Sequence, residues 1–185
     1  MYYVIQVSPG AEDKTETMIR ELVADNMYGR CFHPLRHVRK KFHGEWVDQH
    51  EKLLPGYVFI TSGNIRELSQ TLKRVPVLTK VLGRDEEQFI PLSSDEVEWL
   101  EQITGQTSNA GESENGVECE AGLSLVLAEE DAITVLSGPL KNMEGKIKKI
   151  NLHKRIAEVE VEFMGRSTVI YLGVEMVGRT NEQVN

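Results

Sequence analysis

Two clusters of basic side chains are the residues whose type and spacing best suit a chemical task. The first places five basic residues and no acid between positions 30 and 41. The second places six basic residues and a single acid, Glu144, between positions 139 and 155. Lys and Arg side chains bind phosphate groups, so each cluster is typical of a nucleic-acid interface. Each also suits a solvated strand edge, where lysines prevent pairing with other chains. The pattern alone leaves both interpretations open.

Other chemistry lacks the residues it needs. Cys31 and Cys119 lie far apart without a CxxC pair, which indicates two reduced thiols rather than a disulfide framework or a zinc site. His33 and His37 are spaced four residues apart, but Pro34 lies between them and no acidic partner accompanies them. The chain also lacks the GxSxG, GxGxxG and GxxxxGK[ST] motifs. We therefore expect a binding protein with no cofactor, not an enzyme.

The net charge of −8 over 185 residues would by itself argue against a nucleic-acid-binding surface. Its distribution changes that conclusion. Residues 1–104 carry 13 basic and 16 acidic residues, residues 105–121 carry four glutamates and no basic residue, and residues 122–180 carry eight of each sign. No apolar run is long enough to span a membrane, and the N-terminus lacks the features of a signal peptide. We expect a cytoplasmic protein.

The first 104 residues must supply the elements that position the first cluster. Apolar spacing, turn residues and caps predict a mixed α and β domain, in which residues 18, 19, 22 and 23 form the apolar stripe of the first helix and Ser93 or Ser94 caps the third. The predicted elements are a strand at 2–7, a helix at 11–25, a basic strand at 30–41, a hairpin tip at 43–45, a strand at 56–61, a helix at 65–74, a β-rich segment at 75–82 and a helix at 95–103.

The rest of the chain divides into a linker and a second domain. Residues 105–121 are rich in Gly, Ser, Asn and Glu, which predicts a flexible acidic linker. Short strands with turn signals follow from 122 to 180 and predict a small β-barrel. The predicted strands are 132–136, 145–151, 156–163, 168–172 and 174–177. Alternation along the second of these would place Lys146 and Lys148 on one face.

Four segments together carry a family resemblance. Residues 138–147 (GPLKNMEGKI) resemble the KOW motif, and residues 163–168 (FMGRST) follow it at the usual distance. Residues 54–59 (LPGYVF) resemble the PGY strand of the NusG N-terminal domain, and residues 75–83 (VPVLTKVLG) are similar to a later segment of that domain. The chain thus resembles the NusG family over nearly its whole length. The resemblance implies an α+β fold: a NusG-type N-terminal α/β sandwich domain at 1–104, a flexible acidic linker at 105–121, and a small C-terminal KOW β-barrel of SH3-like type at 122–180.

The resemblance also implies a polymerase partner. In this family the N-terminal domain docks through a hydrophobic depression on the clamp region of RNA polymerase, and aromatic anchors in a depression are typical binding hot spots. Core packing is the alternative role for Tyr57 and Phe59, because one face of the strand must be buried. The positions of this sequence that match the docking strand are Leu54, Pro55, Gly56, Tyr57 and Phe59. Contact with polymerase, or with upstream or non-template DNA, is a further hypothesis for Arg36, Arg39, Lys40 and Lys41.

Departures from the family pattern favour a specialised member. General NusG proteins carry Phe-Gly-Arg-x-Thr-Pro at the barrel tip that contacts ribosomal protein S10 or Rho. Here Met164 replaces the Phe and Val169 the Pro. Together with the basic cluster, this resembles the LoaP antiterminators, which recognise a hairpin in nascent RNA. Lysines suit the phosphates of such a hairpin, whereas Arg155 and Arg166 suit bidentate or stacking contacts. The predicted RNA-binding residues are Lys141, Lys146, Lys148, Lys149, His153, Lys154, Arg155 and Arg166.

The predicted function is therefore processive antitermination by a monomer that binds RNA polymerase through its N-terminal domain and an RNA hairpin through its KOW domain. The alternative is a general NusG-like adaptor that couples polymerase to ribosomal protein S10 or Rho without specific RNA binding. In that case Phe163, Met164 and Ile170 would form the contact edge of the barrel.

Overall fold

The computed structural model describes residues 1–76, 80–84, 88–104, 119–129 and 132–177. The helices are α1 (Glu12–Leu22), α2 (Ile65–Leu72) and α3 (Ser94–Thr104). The strands are β1 (Tyr2–Gln6), β2 (Cys31–Phe32), β3 (Leu35–Phe42), β4 (Glu45–Lys52), β5 (Tyr57–Thr61), β6 (Lys80–Val81), β7 (Glu120–Ala121), β8 (Ser124–Glu129), β9 (Ala132–Ser137), β10 (Ile147–Asn151), β11 (Ile156–Phe163) and β12 (Arg166–Met176). Across these residues no helix has the length and apolar content required to cross a membrane.

The N-terminal unit, the described part of residues 1–104, is built on a four-stranded sheet in the order β2-β5-β1-β6. Successive side chains of a strand face opposite sides of a sheet. Val58 and Ile60 of β5 accordingly join Ile5 of β1 in a core that contains Ile19 of α1 and Leu68 of α2. These two amphipathic helices therefore cover one face of the sheet and leave the other face for different partners.

The opposite face of this sheet belongs to a core that both parts of the chain share. Phe59 of β5 and Val4 of β1 point to this side, where Trp99 of α3 joins them. The same buried cluster continues into the second half of the chain through Phe163 and Val161 of β11. Burial of apolar surface therefore stabilises the contact between the halves as well as each half.

The C-terminal unit, the described part of residues 122–177, is a five-stranded sheet in the order β10-β11-β12-β8-β9. Strict alternation along β11 buries Ala157, Val159, Val161 and Phe163 and turns the intervening glutamates outward. A 3₁₀ segment, Pro139–Lys146, covers one side of this core with its own buried apolar residues. The strands pair antiparallel except for β8 and β12, which are parallel, and one apolar face per strand is the amphipathic pattern expected of a small β domain with one covered face.

A third sheet joins the predicted linker to the N-terminal unit. The hairpin of β3 and β4 turns at His43 and Gly44, both with positive φ, as predicted. β7 adds to it in parallel, with Leu35 opposite Glu120. Residues 120 and 121 therefore lie in a sheet, although they were predicted as the end of a flexible linker. The remainder of that linker, 105–118, lies outside the described residues.

The structure confirms the α+β class and most predicted elements, and it corrects five details. The single basic strand predicted at 30–41 is two strands, β2 and β3, which lie on either side of Pro34 and pair in different sheets. Leu22 was predicted to be part of the buried stripe of α1 but is exposed. Strand β8 was not predicted at all, and β12 runs continuously where two strands were expected. The predicted strand 145–151 begins only at Ile147, because Lys146 belongs to the 3₁₀ segment. Part of the predicted β-rich segment at 75–82 and the chain after 177 lie outside the described residues.

Candidate interaction surfaces

The five residues predicted to contact polymerase lie together at the start of β5. Leu54 and Phe59 are buried, Tyr57 is half-buried and Pro55 is exposed. Tyr57 and Phe59 alternate with Val58 and therefore face away from α1 and α2. The strand thus presents a row of apolar side chains on the face of the sheet that the helix pair leaves uncovered.

Glu12 anchors the turn that leads into this row. Its side chain is fully buried, with one carboxylate oxygen 2.6 Å from the donating backbone N–H of Gly56 and the other 2.8 Å from that of Gly10. Gly56 itself has a φ of +87°, and a Cβ there would lie 3.3 Å from the Val7 carbonyl oxygen. Glycine is therefore needed in this turn, and a buried carboxylate holds its backbone in place.

Phe163 of the C-terminal unit covers the apolar row. Its ring centroid lies 5.2 Å from that of Tyr57, 6.0 Å from that of Phe59 and 6.5 Å from that of Trp99. The pairs with Tyr57 and Trp99 are edge-to-face, which aromatic quadrupoles favour. The surface predicted for polymerase and the tip predicted for an adaptor partner therefore bury each other.

Helix α3 fastens the turn that follows Phe163. The indole Nε1 of Trp99 donates a hydrogen bond to the Glu162 carbonyl oxygen at 3.1 Å. Ser93 caps the helix, as predicted: its Oγ accepts from the N–H of Glu96, whose carboxylate accepts from the N–H of Ser93. The second oxygen of Glu96 accepts a hydrogen bond from the backbone N–H of Met164. One helix N-terminus thus holds a turn of the other unit.

Charged side chains form the second part of the contact between the units. Arg39 Nη1 lies 2.6 Å from Glu175 Oε2, and Arg155 Nη1 lies 2.7 Å from the other oxygen of that carboxylate. The Arg155 guanidinium also stacks over Trp46, with 3.9 Å from Cζ to the ring centroid. Glu175 therefore bridges an arginine from each unit, and Trp46 of β4 caps the bridge.

Strand β3 also contacts the backbone of β12. Arg36 Nη1 donates to the Tyr171 carbonyl oxygen at 2.9 Å, and its guanidinium lies over the Tyr171 ring. Gly173 passes so close to β3 that a Cβ would lie 2.2 Å from the His37 carbonyl oxygen. Only a residue without a side chain fits this crossing.

These contacts occupy most of the first basic cluster. Arg36 and Lys40 both pair with Glu51, and Arg39 pairs with Glu175. Burial raises the pKa of Glu51, but hydrogen bonds from Lys40 and Arg36 outweigh it, so its pKa lies below the ordinary value. Of the four residues predicted for DNA or polymerase, Lys40 and Lys41 are exposed, and Lys41 lies next to Phe42 at the end of β3, before the hairpin turn.

The lysines of the second basic cluster are exposed, but the sheet separates them more than the sequence indicated. The register shifts between Ile147 and Lys149, which leaves Lys148 as a bulged residue. Since Lys146 precedes the strand, alternation does not pair it with Lys148, and that prediction was wrong. The exposed basic side chains are Lys141, Lys146, Lys148, Lys149, His153, Lys154 and Arg166.

Glutamates of the neighbouring strand reduce the positive charge of this surface. Glu160 of β11 lies 2.5 Å from the Lys148 ammonium, and Glu158 is the register partner of Lys149. Hydrogen bonds from Lys148 and Ser167 lower the pKa of Glu160 below its ordinary value. The chain places only Glu144 among these lysines, whereas strand pairing brings Glu158 and Glu160 beside them, which no spacing along the sequence indicates.

Two of the predicted binding residues lie apart from the lysines. Arg155 is 14% exposed and turns into the contact between the units. Arg166 lies beyond the opposite end of β11 from Arg155, separated by about 23 Å of strand. Ile170, predicted for the adaptor edge, is buried inside the C-terminal unit, because alternation on β12 turns it toward the core.

His33 lies among charged side chains of the N-terminal unit. Its Nδ1 is 2.6 Å from Glu16 Oε2, and its Nε2 is 2.8 Å from Lys52 Nζ and 3.3 Å from Asp13 Oδ1. A hydrogen bond from Lys52 lowers the pKa of Asp13. A lysine ammonium in this position repels a cation, and the described residues contain no group of three His, Cys, Asp or Glu side chains able to hold a metal ion.

The chain thus carries a buried apolar row on one unit and an exposed basic surface on the other, and its relatives show the class of protein to which it belongs. A family model described as "Transcription termination factor nusG" matches residues 1–101. The Neisseria meningitidis serogroup B "Transcription termination/antitermination protein NusG" is 23% identical, over 97% of this chain and 98% of that protein. The protein of the same name from Halalkalibacterium halodurans is 25% identical over 92% of this chain and 93% of its own length.

The fold agrees with these relatives. A solved chain described as "Domain interaction in Thermotoga maritima NusG" superposes with a TM-score of 0.54 at 23% identity, covering 93% of this chain and 92% of that one. The chain belongs to the NusG family of transcription termination/antitermination factors. The resemblance noted in the sequence is thereby confirmed at the family level. Because this family consists of transcription factors, the expectation that the chain is not an enzyme is confirmed as well.

Proposed function

We propose that this protein acts in processive antitermination in the cytoplasm. It works as a monomer that binds RNA polymerase through its N-terminal unit and a hairpin in nascent RNA through its C-terminal unit. In this respect it resembles the LoaP antiterminators more than general NusG proteins. The observation that carries the RNA part is the exposure of the lysines of the second basic cluster, together with the exposed His153 in the turn between β10 and β11.

The apolar row of β5 supports the polymerase part of the proposal. Tyr57 and Phe59 face the side of the sheet that α1 and α2 leave open, so they are available to whatever replaces the C-terminal unit. Aromatic side chains beside a buried leucine form the kind of anchor that dominates binding energy at interfaces. Since Phe163 now covers this row, the polymerase clamp reaches it only after the two units separate.

The basic surface supports RNA over a protein partner for the C-terminal unit. Exposed lysines supply charge to phosphates at modest cost, because their ammonium groups remain solvated. The neighbouring glutamates Glu158 and Glu160 restrict the positive surface to the side of β10 and the turn at 152–155. A limited basic surface on an acidic protein favours one shaped target over indiscriminate binding to DNA and RNA.

A DNA contact by the first cluster is a secondary part of the proposal. Arg36 and Arg39 are engaged with the C-terminal unit when the two units are in contact, which we call the closed arrangement. Of the four predicted residues, Lys41 and the Glu51-paired Lys40 are then the exposed ones that face upstream or non-template DNA. Separation of the units would release Arg36 from Tyr171 and Arg39 from Glu175, while Arg36 keeps its ion pair with Glu51.

The RNA test uses the full chain. Hairpins are selected on it from an RNA pool with randomised loops, and the affinity of the enriched hairpin is measured across a salt series. Lys149→Ala with Lys154→Ala should lower the magnitude of the slope of log affinity against log salt by about 2, because two phosphate contacts are lost. The matched control is Lys14→Ala with Lys73→Ala, which removes the same charge from exposed positions of the N-terminal unit. An equal slope for both double variants, or failure to enrich any hairpin, would refute the RNA part.

The adaptor function remains the second candidate because Phe163 packs outside its own sheet against aromatic side chains of the other unit. Once the units separate, Phe163 and Met164 form an apolar tip that a protein partner could cover. Purified ribosomal protein S10 and Rho distinguish the candidates. Strong binding of either protein, together with no affinity for RNA, would favour the adaptor.

A further inference from the structure

We propose that structured RNA and the closed arrangement of the two units compete for Arg155, so that RNA binding opens the protein and uncovers the apolar row of β5. This inference rests on the proposed RNA binding by the C-terminal unit. It adds a regulatory consequence: RNA capture and polymerase docking favour each other within one chain.

Arg155 is the point where the RNA surface meets the contact between the units. It ends the turn between β10 and β11, directly after His153 and Lys154, which are both exposed. Arg155 itself has a φ of +53°, and its side chain turns away from solvent to Trp46 and Glu175. Two neighbouring residues can thus meet RNA in the closed arrangement, whereas the third cannot.

Its partners in the closed arrangement oppose the approach of a phosphate. One oxygen of Glu175 pairs with the Arg155 guanidinium and the other pairs with Arg39. The Trp46 ring covers one face of the Arg155 guanidinium, with 3.9 Å from its centroid to Cζ. An RNA phosphate that approached Arg155 here would also meet the negative charge of Glu175. To contact RNA, the guanidinium must leave both partners.

Removal of Arg155 from these partners weakens the closed arrangement. Trp46 and Arg39 belong to the N-terminal unit and Glu175 to the C-terminal unit, so Arg155 both stacks across the contact and orients the carboxylate that pairs with Arg39. A ligand shifts a two-state equilibrium by its difference in affinity for the two states. RNA that gains Arg155 only in the open state therefore favours opening, and by reciprocity opening raises affinity for RNA.

The chain carries its own reporter of this event. Its two tryptophans, Trp46 and Trp99, both lie in the contact between the units. Trp99 is 4% exposed and packs at the end of β11 that lies about 23 Å of strand from Arg155. A change in Trp99 emission therefore reports separation of the units rather than direct contact with RNA at the turn. The variant Trp46→Phe leaves Trp99 as the single tryptophan.

The experiment titrates the full chain with the selected hairpin, labelled with fluorescein so that anisotropy reports binding. Acrylamide quenching and the emission maximum of Trp99 report opening in the same samples, in wild type and in Trp46→Phe. We expect the emission to shift to longer wavelength as RNA binds. Glu175→Gln should show the shifted emission before RNA is added, and should bind RNA at least about fivefold more tightly than wild type.

Glu144→Gln is the matched control, because it removes one negative charge from an exposed position of the same unit, within the basic cluster itself. It should leave Trp99 emission unchanged. If Glu144→Gln raises RNA affinity as much as Glu175→Gln does, the effect is one of charge alone and the competition is refuted. RNA binding without any change in Trp99 also refutes it, while the proposed RNA function stands. Absence of RNA binding to both wild type and Glu175→Gln would overturn the proposed function and this inference together.

Discussion

Gly173 crosses β3 so closely that the substitution Gly173→Ala is expected to separate the two units. A Cβ at this position would lie 2.2 Å from the His37 carbonyl oxygen and 2.6 Å from Leu123 Cδ2. The backbone at Gly173 does not have a positive φ, so alanine can adopt it. The cost of the substitution therefore arises from the new contacts and not from backbone strain.

The size of the effect follows from which atoms can move. Ordinary van der Waals contact begins at 3.4 Å, so the His37 oxygen and the new methyl group must separate by about 1.2 Å. The Leu123 side chain can rotate aside within its own unit. The His37 backbone cannot move alone, because β3 pairs with β4 and β7. Overpacking of this kind costs about 1–3 kcal/mol, and here the cost falls on the closed arrangement alone. The ratio of closed to open protein should fall by about 5- to 150-fold.

Tryptophan emission and polymerase binding measure this shift. Gly173→Ala should move the emission of Trp46 and Trp99 to longer wavelength, increase their quenching by acrylamide, and strengthen binding to core RNA polymerase. Gly145→Ala is the matched control, since a Cβ there meets no atom within 4 Å. Circular dichroism checks that both variants are folded. If folded Gly173→Ala has the emission, quenching and polymerase affinity of wild type, the close approach to His37 does not hold the units together.

Two further predictions concern carboxylates of the N-terminal unit. Glu12 accepts hydrogen bonds from two backbone N–H groups, and Glu12→Gln keeps an oxygen acceptor for only one of them. The NH₂ group of the new side chain would face the second N–H, a donor against a donor. We therefore expect a loss of about 2–3 kcal/mol in the free energy of unfolding by urea. Exposed Glu21→Gln on the same helix should change it little, and equal losses would contradict the role of Glu12. Glu51 has a lowered pKa because hydrogen bonds from Lys40 and Arg36 outweigh the opposing effect of burial. A lowered pKa stabilises the fold above pH 4.5, the ordinary value, and this stability is lost as pH falls through the folded pKa. Unfolding free energy should therefore fall more steeply with acid in wild type than in Glu51→Gln, and parallel curves would refute the assignment.

Local patterns predicted most of the regular structure. Aromatic and β-branched residues placed β1 and β5, and apolar spacing placed α1 and α2 within a few residues of their observed ends. The serine cap of α3 was predicted because capping depends on residues three positions apart. The errors lie where contacts between elements, and not the local pattern, decide the structure. Leu22 has the right spacing but faces solvent, and β8 has too few turn signals to distinguish it from its surroundings.

The candidate site was predicted less well than the fold. The positions of the apolar row on β5 were identified, but the structure shows that its present occupant is Phe163. The basic clusters were counted correctly along the chain and incorrectly in space. Glu160 of the next strand forms an ion pair with Lys148, and Glu175, 136 residues along the chain from Arg39, forms one with Arg39.

The sequence by itself determined the family, the alternation that gives each strand one apolar face, and the presence of two basic clusters on an acidic protein. These features depend on residue types and short spacings, which the chain displays directly. Only the tertiary structure decided which charges are available. Arg155 was an RNA-binding candidate by sequence, yet in the fold its guanidinium lies between Trp46 and Glu175. The reason is that a charge is satisfied by whichever partner is nearest in space, and strand pairing and contact between units bring together residues that no local pattern relates.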